Sequence, residues 1–412
     1  MYTKHLENKT AILSLREEKL FMTSLASNIP RLYLIKIAKW FMMTMPIIVL
    51  FYQENGLGMT EVLTLQAVYS IAIVALEIPS GYAADVWGRK TTLIIGSILG
   101  VIGFSIYSFS FGFWGFLAAE LTLGIGQSFI SGSDSAMLYD SLKSNNRQAD
   151  YLKYEGRVIS IGNFAETLAA IAGGLLAEVS LRLPFQAQIF VALIAVPAAI
   201  TLIEPPHIKN LGQGSLKRIL HVVKNSLIDN KVLRYNILFS AITGCATLSM
   251  AWFIQPYMAH ILEFSKSEIG IAWAVLNLSV GLMSLIAYKI EARIGDRNSI
   301  IGFMLIILIG YGAMGLISNL WVIPFVMLFY MMRGVATPVL KDYINRLTDS
   351  EHRATVLSVR NFIIRILFSI IGPFLGWYSD LYSLQNALLL AAILFFSFGM
   401  LSAIVYISSY RK

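Results

Sequence analysis

Residues 81–90 read Gly81-Tyr82-Ala83-Ala84-Asp85-Val86-Trp87-Gly88-Arg89-Lys90. This short turn with its charges joins two long apolar runs, near 60–82 and 91–110. A helix needs about 20 mostly apolar residues to cross a hydrocarbon core of roughly 30 Å, and each run supplies that length. The turn therefore links two helices that run antiparallel through a membrane. Ten more runs of the same kind lie on either side of it, near 32–53, 113–139, 156–179, 186–204, 231–259, 268–290, 299–318, 321–345, 355–379 and 384–408. A transmembrane barrel would instead show alternating segments of about ten residues, and the stretch from Leu93 to Ala119 does not alternate.

Composition agrees with twelve spans. Of 412 residues, 57% are hydrophobic and only 14% are charged, against roughly 25% charged in a soluble domain. The aromatic content of 12% excludes intrinsic disorder. A single cysteine, Cys245, excludes a disulfide framework. The chain opens on polar residues rather than on a signal peptide, so its N-terminus is expected in the cytoplasm. With that start, the outer loops hold only Arg182 and Lys266, and the other thirty of the 32 Lys and Arg lie in cytoplasmic segments, at helix ends or inside spans. This is a positive-inside pattern. It accounts for the net charge of +8 without a nucleic-acid partner, since the basic groups are scattered over many short loops.

The longest interior polar stretch, 204–234, divides the spans six and six. The expected organisation is a cytoplasmic segment over 1–31, a six-helix bundle over 32–204, a linker over 205–230, a second bundle over 231–408 and a tail over 409–412. An internal repeat supports the division. Val158 to Phe164 matches Val356 to Phe362 at an offset of 198, and Gly132, Leu138 and Asp140 match Gly334, Leu340 and Asp342 at an offset of 202.

The 81–90 turn resembles the signature loop of the major facilitator superfamily: a glycine, an acid four residues on, then Gly-Arg-Lys. A degenerate copy, Ile294-Gly295-Asp296-Arg297, follows span 8. The resemblance implies an all-α integral membrane protein with twelve transmembrane helices in two pseudo-symmetric six-helix bundles. Its site would lie near the midplane between them. It also implies that Gly81, Asp85, Gly88 and Arg89 form a latch between the halves, for which Asp134 is the expected partner of Arg89. The chain departs from the family in span 4, where Glu120 stands in place of an arginine. It departs again in span 5, where Ala165, Ala169, Ala170, Gly173 and Gly174 are an eroded, proline-free form of the antiporter motif.

Ionisable residues deep in a span cost about 2.5–3.5 kcal/mol on insertion scales and mark function by default. Glu120, Glu166, Arg333 and Arg365 stand deepest. Lys36 is read as a snorkelling lysine, and Lys39, two turns in, as a cavity candidate. Polar residues recur at helical spacing around these charges. Span 4 carries Glu120, Gln127 and Asp134 on one stripe, which an unbroken helix would stretch over about 21 Å. Span 5 carries Asn163 and Glu166, span 8 Asn277, and span 11 Asn361 and Arg365. Glu120, Glu166 and Asp134 are the proton-coupling candidates, with a charge pair between the halves from Glu120 or Glu166 to Arg333 or Arg365. The substrate-cavity candidates are Lys39, Gln127, Asn163, Asn277, Arg333, Arg365, Asn361, Trp252 and Tyr330.

No P-loop, His-Glu-x-x-His or Gly-x-Ser-x-Gly motif occurs, so neither enzyme action nor a metal or organic cofactor is expected. The expected function is a secondary transporter driven by the proton gradient. It exports a small drug-like or metabolite molecule as a monomer among the lipids of a bacterial inner membrane, with both termini cytoplasmic. The nearest alternative is a proton-coupled importer of a small anionic solute held by Arg333 and Arg365. A lipid flippase or a non-transporting sensor on the same fold is a further one.

Overall fold

A computed structural model describes residues 25–205, 224–349 and 352–410. Most of the expected segment 1–31 and of the linker 205–230, and the last two residues, lie outside that set. The helices of the first half are α1 (Asn28–Trp40), α2 (Ile48–Glu54), α3 (Met59–Trp87), α4 (Arg89–Phe109), α5 (Gly112–Ile130), α6 (Ser133–Ser144), α7 (Tyr151–Val179) and α8 (Leu183–Ile200). Those of the second half are α9 (Lys231–His260), α10 (Lys266–Ile294), α11 (Asp296–Leu316), α12 (Ile323–Arg346), α13 (Arg353–Leu381) and α14 (Leu384–Tyr410).

Among the described residues, eleven helical segments are long and apolar enough to cross a membrane. The first span completes the twelve as two short helices, α1 and α2. It was expected as one helix over 32–53, and the chain instead leaves helix between Phe41 and Ile47. Pro46 lies in that stretch; it has no N–H to donate and its ring clashes with the preceding turn. Span 4, expected unbroken over 113–139, is also divided. Ser131 is extended, and Gly132 takes φ +82°, a conformation that favours glycine.

The two halves have the same internal packing. In the first, α4 packs on α5 and α8, and α3 on α5; in the second, α11 packs on α12 and α14, and α10 on α12. The signature turn and its degenerate copy are built alike. Gly88 (φ +93°) ends α3 and starts α4, and Gly295 (φ +78°) ends α10 and starts α11. Among the described residues, the main helix pairs that join the halves are α3 with α13, α7 with α10, and α2 with α9.

The end of the molecule that carries the signature turn is called the loop end here, and the opposite one the far end. At the far end, hydrogen bonds cross between the halves. Val49 N–H donates to Gln255 Oε1 (3.0 Å), Met59 N–H to Asp380 Oδ1 (2.8 Å) and Ser267 N–H to Glu178 Oε1 (2.7 Å). At the loop end, the side-chain bonds between described residues stay within one half. Asn28 Nδ2 ties α1 to Ser141 Oγ (2.9 Å) and to Ile203 O (2.8 Å), while Arg346 pairs with Glu291 (3.5 Å), Asp296 (3.6 Å) and Asp342 (2.6 Å). Among the described residues, these side-chain bonds thus join the halves at the far end and stay within each half at the loop end.

Candidate functional site

The break in span 1 creates the site. Backbone groups freed from a helix at membrane depth need other partners. Here buried glutamines provide them: Gln188 Oε1 of α8 accepts from Met43 N–H (3.0 Å), and Gln255 does so for Val49. Beside the break lies a cavity of about 290 Å³ lined by α1, α3, α4, α5, α7 and α8, all of the first half rather than shared between the halves as expected, near the lower end of small-ligand pockets. Trp40, Met42, Met45 and Phe104 supply apolar walls; Lys39, Gln127 and Glu166 supply polar groups. Gly100 leaves open space on this wall, while Gly96 and Gly126 let α4 and α5 approach closely beside it. The structure therefore brings three sequence candidates into one pocket. A second cavity, about 200 Å³, is a groove walled by Leu76, Pro79, Tyr82, Trp87 and Phe129 without a charged side chain.

The charges sort differently from the expected cross-half pairs. Glu166 of α7 and Arg333 of α12 belong to opposite halves and lie close enough for their charges to interact, with no ion pair within 4 Å among the described residues. Arg333 also lies over the ring of Tyr330 (5.9 Å). The Tyr330 hydroxyl is buried and without a hydrogen-bond partner among the described residues. Arg365 lies within electrostatic reach of Tyr69, a lining residue of the pocket. Glu120 does not take part in a cross-half pair. It is enclosed in the first half, where Tyr52 donates to Oε1 (2.8 Å) and Gln66 Nε2 adds a further donor, with the Tyr107 hydroxyl bonded in turn to Tyr52. The Phe116 ring, packed on both tyrosines, completes the enclosure.

The remaining candidates are spread out. Asn163 is exposed; Asn361 is exposed and accepts from Arg360 Nη1 (3.1 Å). Asn277 Nδ2 is engaged by the Trp273 carbonyl (3.0 Å), and Trp252 is buried with its Nε1 unpartnered among the described residues. Asp134 holds two lysines of α1, Lys36 (3.5 Å) and Lys39 (3.9 Å). Lys36 is thus ion-paired rather than snorkelling, and it also lies over Trp40 (5.8 Å).

In the signature turn, Arg89 pairs with Asp140, not with the expected Asp134, and donates to Ala136 O (2.6 Å). The break at Ser131–Gly132 is the reason. It re-aims α6, so that Asp134 meets α1 and Asp140 meets Arg89. Glu204, from the segment after α8, caps α4 by accepting from Arg89 N–H (2.9 Å) and Lys90 N–H (2.7 Å). Gly81 and Asp85 are exposed. Among the described residues, the expected latch residues make their side-chain contacts within their own half.

A sequence model of the Major Facilitator Superfamily matches residues 37–366 and again 237–412. The chain belongs to this superfamily. Among its relatives, the tetracycline resistance protein, class H, of Pasteurella multocida is 24% identical over 370 residues, covering 84% of this chain and 87% of that protein. The quinolone resistance protein NorA of Staphylococcus aureus is 21% identical over 56% of this chain and 58% of its own length. Among solved structures, a mutant of the nucleoside transporter NupG superposes with a TM-score of 0.79 at 14% identity, over 93% of this chain and 99% of that one. A bacterial homologue of the human lysosomal transporter Spinster, inward-facing and occupied, gives 0.70 at 17% identity over 94% and 96%. These structures share the superfamily fold.

Several residues of this superfamily member escaped the sequence reading. Gln188 and Gln255 carried a signal, since an amide within an apolar span needs a partner. Arg360 is buried, with Nε donating to Ser240 Oγ (2.5 Å) and no carboxylate within 4 Å among the described residues. It lay in view within the 198-residue repeat, opposite Gly162.

Proposed function

We propose that the chain is a proton-coupled exporter of a small amphiphilic organic solute, working as a monomer by alternating access. The observation that carries this reading is the pocket beside the span-1 break. Its Met and aromatic walls suit an apolar body, and Glu166 and Lys39 offer polar anchors. With the loop end cytoplasmic, as the basic residues favour, the halves are closed on the outside and the pocket is supplied from the cytoplasm. Proton coupling then rests on Glu166. In one state the carboxylate is charged and balanced by Arg333; in the other it is protonated and the halves part. A solute that displaces the proton from Glu166 would be exchanged for it. The relatives named for tetracycline and quinolone resistance support export and supply the first solutes to try.

The test is transport by the purified protein in proteoliposomes, with and without a pH gradient. Gradient-driven accumulation of an amphiphilic solute is expected, with Glu166→Gln losing it and keeping solute–solute exchange. Gradient-driven transport unchanged in Glu166→Gln overturns the coupling. One observation favours a second reading, import of an anionic solute. Arg360 and Lys341 lie within electrostatic reach of each other, without a carboxylate within 4 Å among the described residues. Transport stimulated only for anions, and lost in Arg360→Ala, would select that reading.

A further inference from the structure

The helix pairs that join the halves end in a repeated device. Gly376 and Asp380 stand one turn apart at the far end of α13; Gly174 and Glu178 stand one turn apart at the far end of α7. The two Gly-x-x-x-acid turns are separated by 202 residues, the same offset that relates Asp140 to Asp342. Each turn faces the first residues of a helix in the other half. Asp380 Oδ1 accepts from Met59 N–H (2.8 Å), and its Oδ2 accepts from Thr60 N–H (2.7 Å) and the Thr60 hydroxyl (2.6 Å). Glu178 Oε1 accepts from Ser267 N–H (2.7 Å).

The glycines set the approach. A Cβ on Gly376 would lie 2.5 Å from Met59 O, and one on Gly174 would lie 2.7 Å from Lys266 O and 2.9 Å from Gly270 Cα. Only bare backbone lets the helices come this close, and that closeness carries the acid, one turn on, to the helix start.

The helices being gripped are prepared for it. Each begins with its own cap: Glu61 Oε2 accepts from Gly58 N–H (3.0 Å), and Glu268 and Ser265 cap α10 reciprocally. The first donors of α3 and α10 are thus satisfied locally, while Met59, Thr60 and Ser267 are satisfied from the other half. A helix start carries partial positive charge and unpaired N–H groups, so a carboxylate there is favoured on both counts.

We infer that Glu178 and Asp380 are a pair of gating residues, which hold the far end shut in this state and let go when the halves rock. The same spacing recurs at the loop end of the helices they grip, as Gly81-x-x-x-Asp85 on α3 and Ala287-x-x-x-Glu291 on α10. Those acids do not cross here: Asp85 is exposed, and Glu291 pairs with Arg346 of its own half. The acids at the two ends of α3 and α10 therefore hold opposite states, because closing one end of a helix pair opens the other. The inference rests on alternating access and not on the solute or its coupling.

The test is the distribution between states in the full chain, without solute, read by double electron–electron resonance. Spin labels at Trp114→Cys and Leu320→Cys, two exposed far-end positions in opposite halves, report the opening, with Cys245 replaced by Ala. The double variant Asp380→Asn with Glu178→Gln should raise the share of long far-end distances about tenfold. Asp85→Asn should lower it, and this opposite sign is something a general loss of stability cannot produce. Wild-type distributions in the double variant and in both single variants overturn the inference, as does a change of the same sign from Asp85→Asn. Absence of proton-driven transport in vesicles would leave this readout untouched.

Discussion

The Glu120 carboxylate of α5 accepts a 2.8 Å hydrogen bond from the Tyr52 hydroxyl of α2, inside a shell with no basic side chain at ion-pair distance among the described residues. Tyr52 and Tyr107 are themselves hydrogen-bonded to one another, and Gln66 closes the group. A buried acid ringed by donors is a fastener between helices. Its removal leaves those donors unpaired at about 1–3 kcal/mol for each one left buried. Glu120→Ala should therefore lower stability by about 3 kcal/mol, and Tyr52→Phe by about 1 kcal/mol. Thermal unfolding in detergent measures both. Glu120→Gln should affect unfolding more than gradient coupling, because the side chain is not a wall of the pocket.

Glu166 and Arg333 sense each other across the halves, so their roles in the cycle should not be independent. Glu166→Gln and Arg333→Gln are each expected to reduce gradient-driven transport at least tenfold, and the double variant should be no worse than the poorer single one. Residues acting as a unit give this non-additivity. Initial rates in proteoliposomes decide it, and multiplicative losses would separate the two residues.

The break in span 1 depends on two amides. Gln188→Leu leaves Met43 N–H without its acceptor and Gln255→Leu does the same to Val49 N–H, each costing about 1–3 kcal/mol. Their consequences should differ. Gln188 bonds within its own half, so its loss should speed hydrogen exchange around Met43 alone. Gln255 joins α9 to α2, so its loss should also speed exchange at the far ends of both. Gly173→Ala should damage the same region, since an added Cβ would collide with the Met43 carbonyl.

Arg182 closes the far end of α4. Its Nη1 donates to the carbonyls of Tyr107 (3.2 Å), Ser108 (3.0 Å) and Ser110 (2.9 Å), its Nη2 donates to Asn55 Oδ1 (2.9 Å), and the guanidinium lies over Phe111 (4.1 Å). A cation at a helix C-terminus complements both the free carbonyls and the dipole. Arg182→Gln should cost about 2 kcal/mol. Arg182→Lys should restore less than half of that, because an ammonium cannot reproduce the planar fork. Thermal unfolding of the three proteins makes the comparison.

The positions of the spans were legible because membrane crossing depends on a local property, the length of an apolar run. The two breaks were not. Pro46 and Gly132 stand in plain sight, but each lies within an apolar stretch where many helices tolerate such residues. What makes the break at Pro46 possible is the supply of acceptors by Gln188 and Gln255, residues 145 and 206 positions from the donors they serve. The Gly132 break then undid the expected stripe on span 4. Glu120 and Asp134, placed on one continuous face by helical spacing, fell to different helices and different partners.

Sequence alone determined the class of protein, the number and order of the spans, the internal repeat and the place of the signature turn. These follow from apolar length and short-range spacing, which the chain carries residue by residue. Tertiary structure alone decided which charges meet. Arg89 found Asp140, Lys36 and Lys39 found Asp134, and Asp380 found the start of α3, because the axial rotation of a helix and the tilt of its neighbour choose among several acids within a few residues of each other. An apolar run leaves that rotation open, and close packing of the helices settles it.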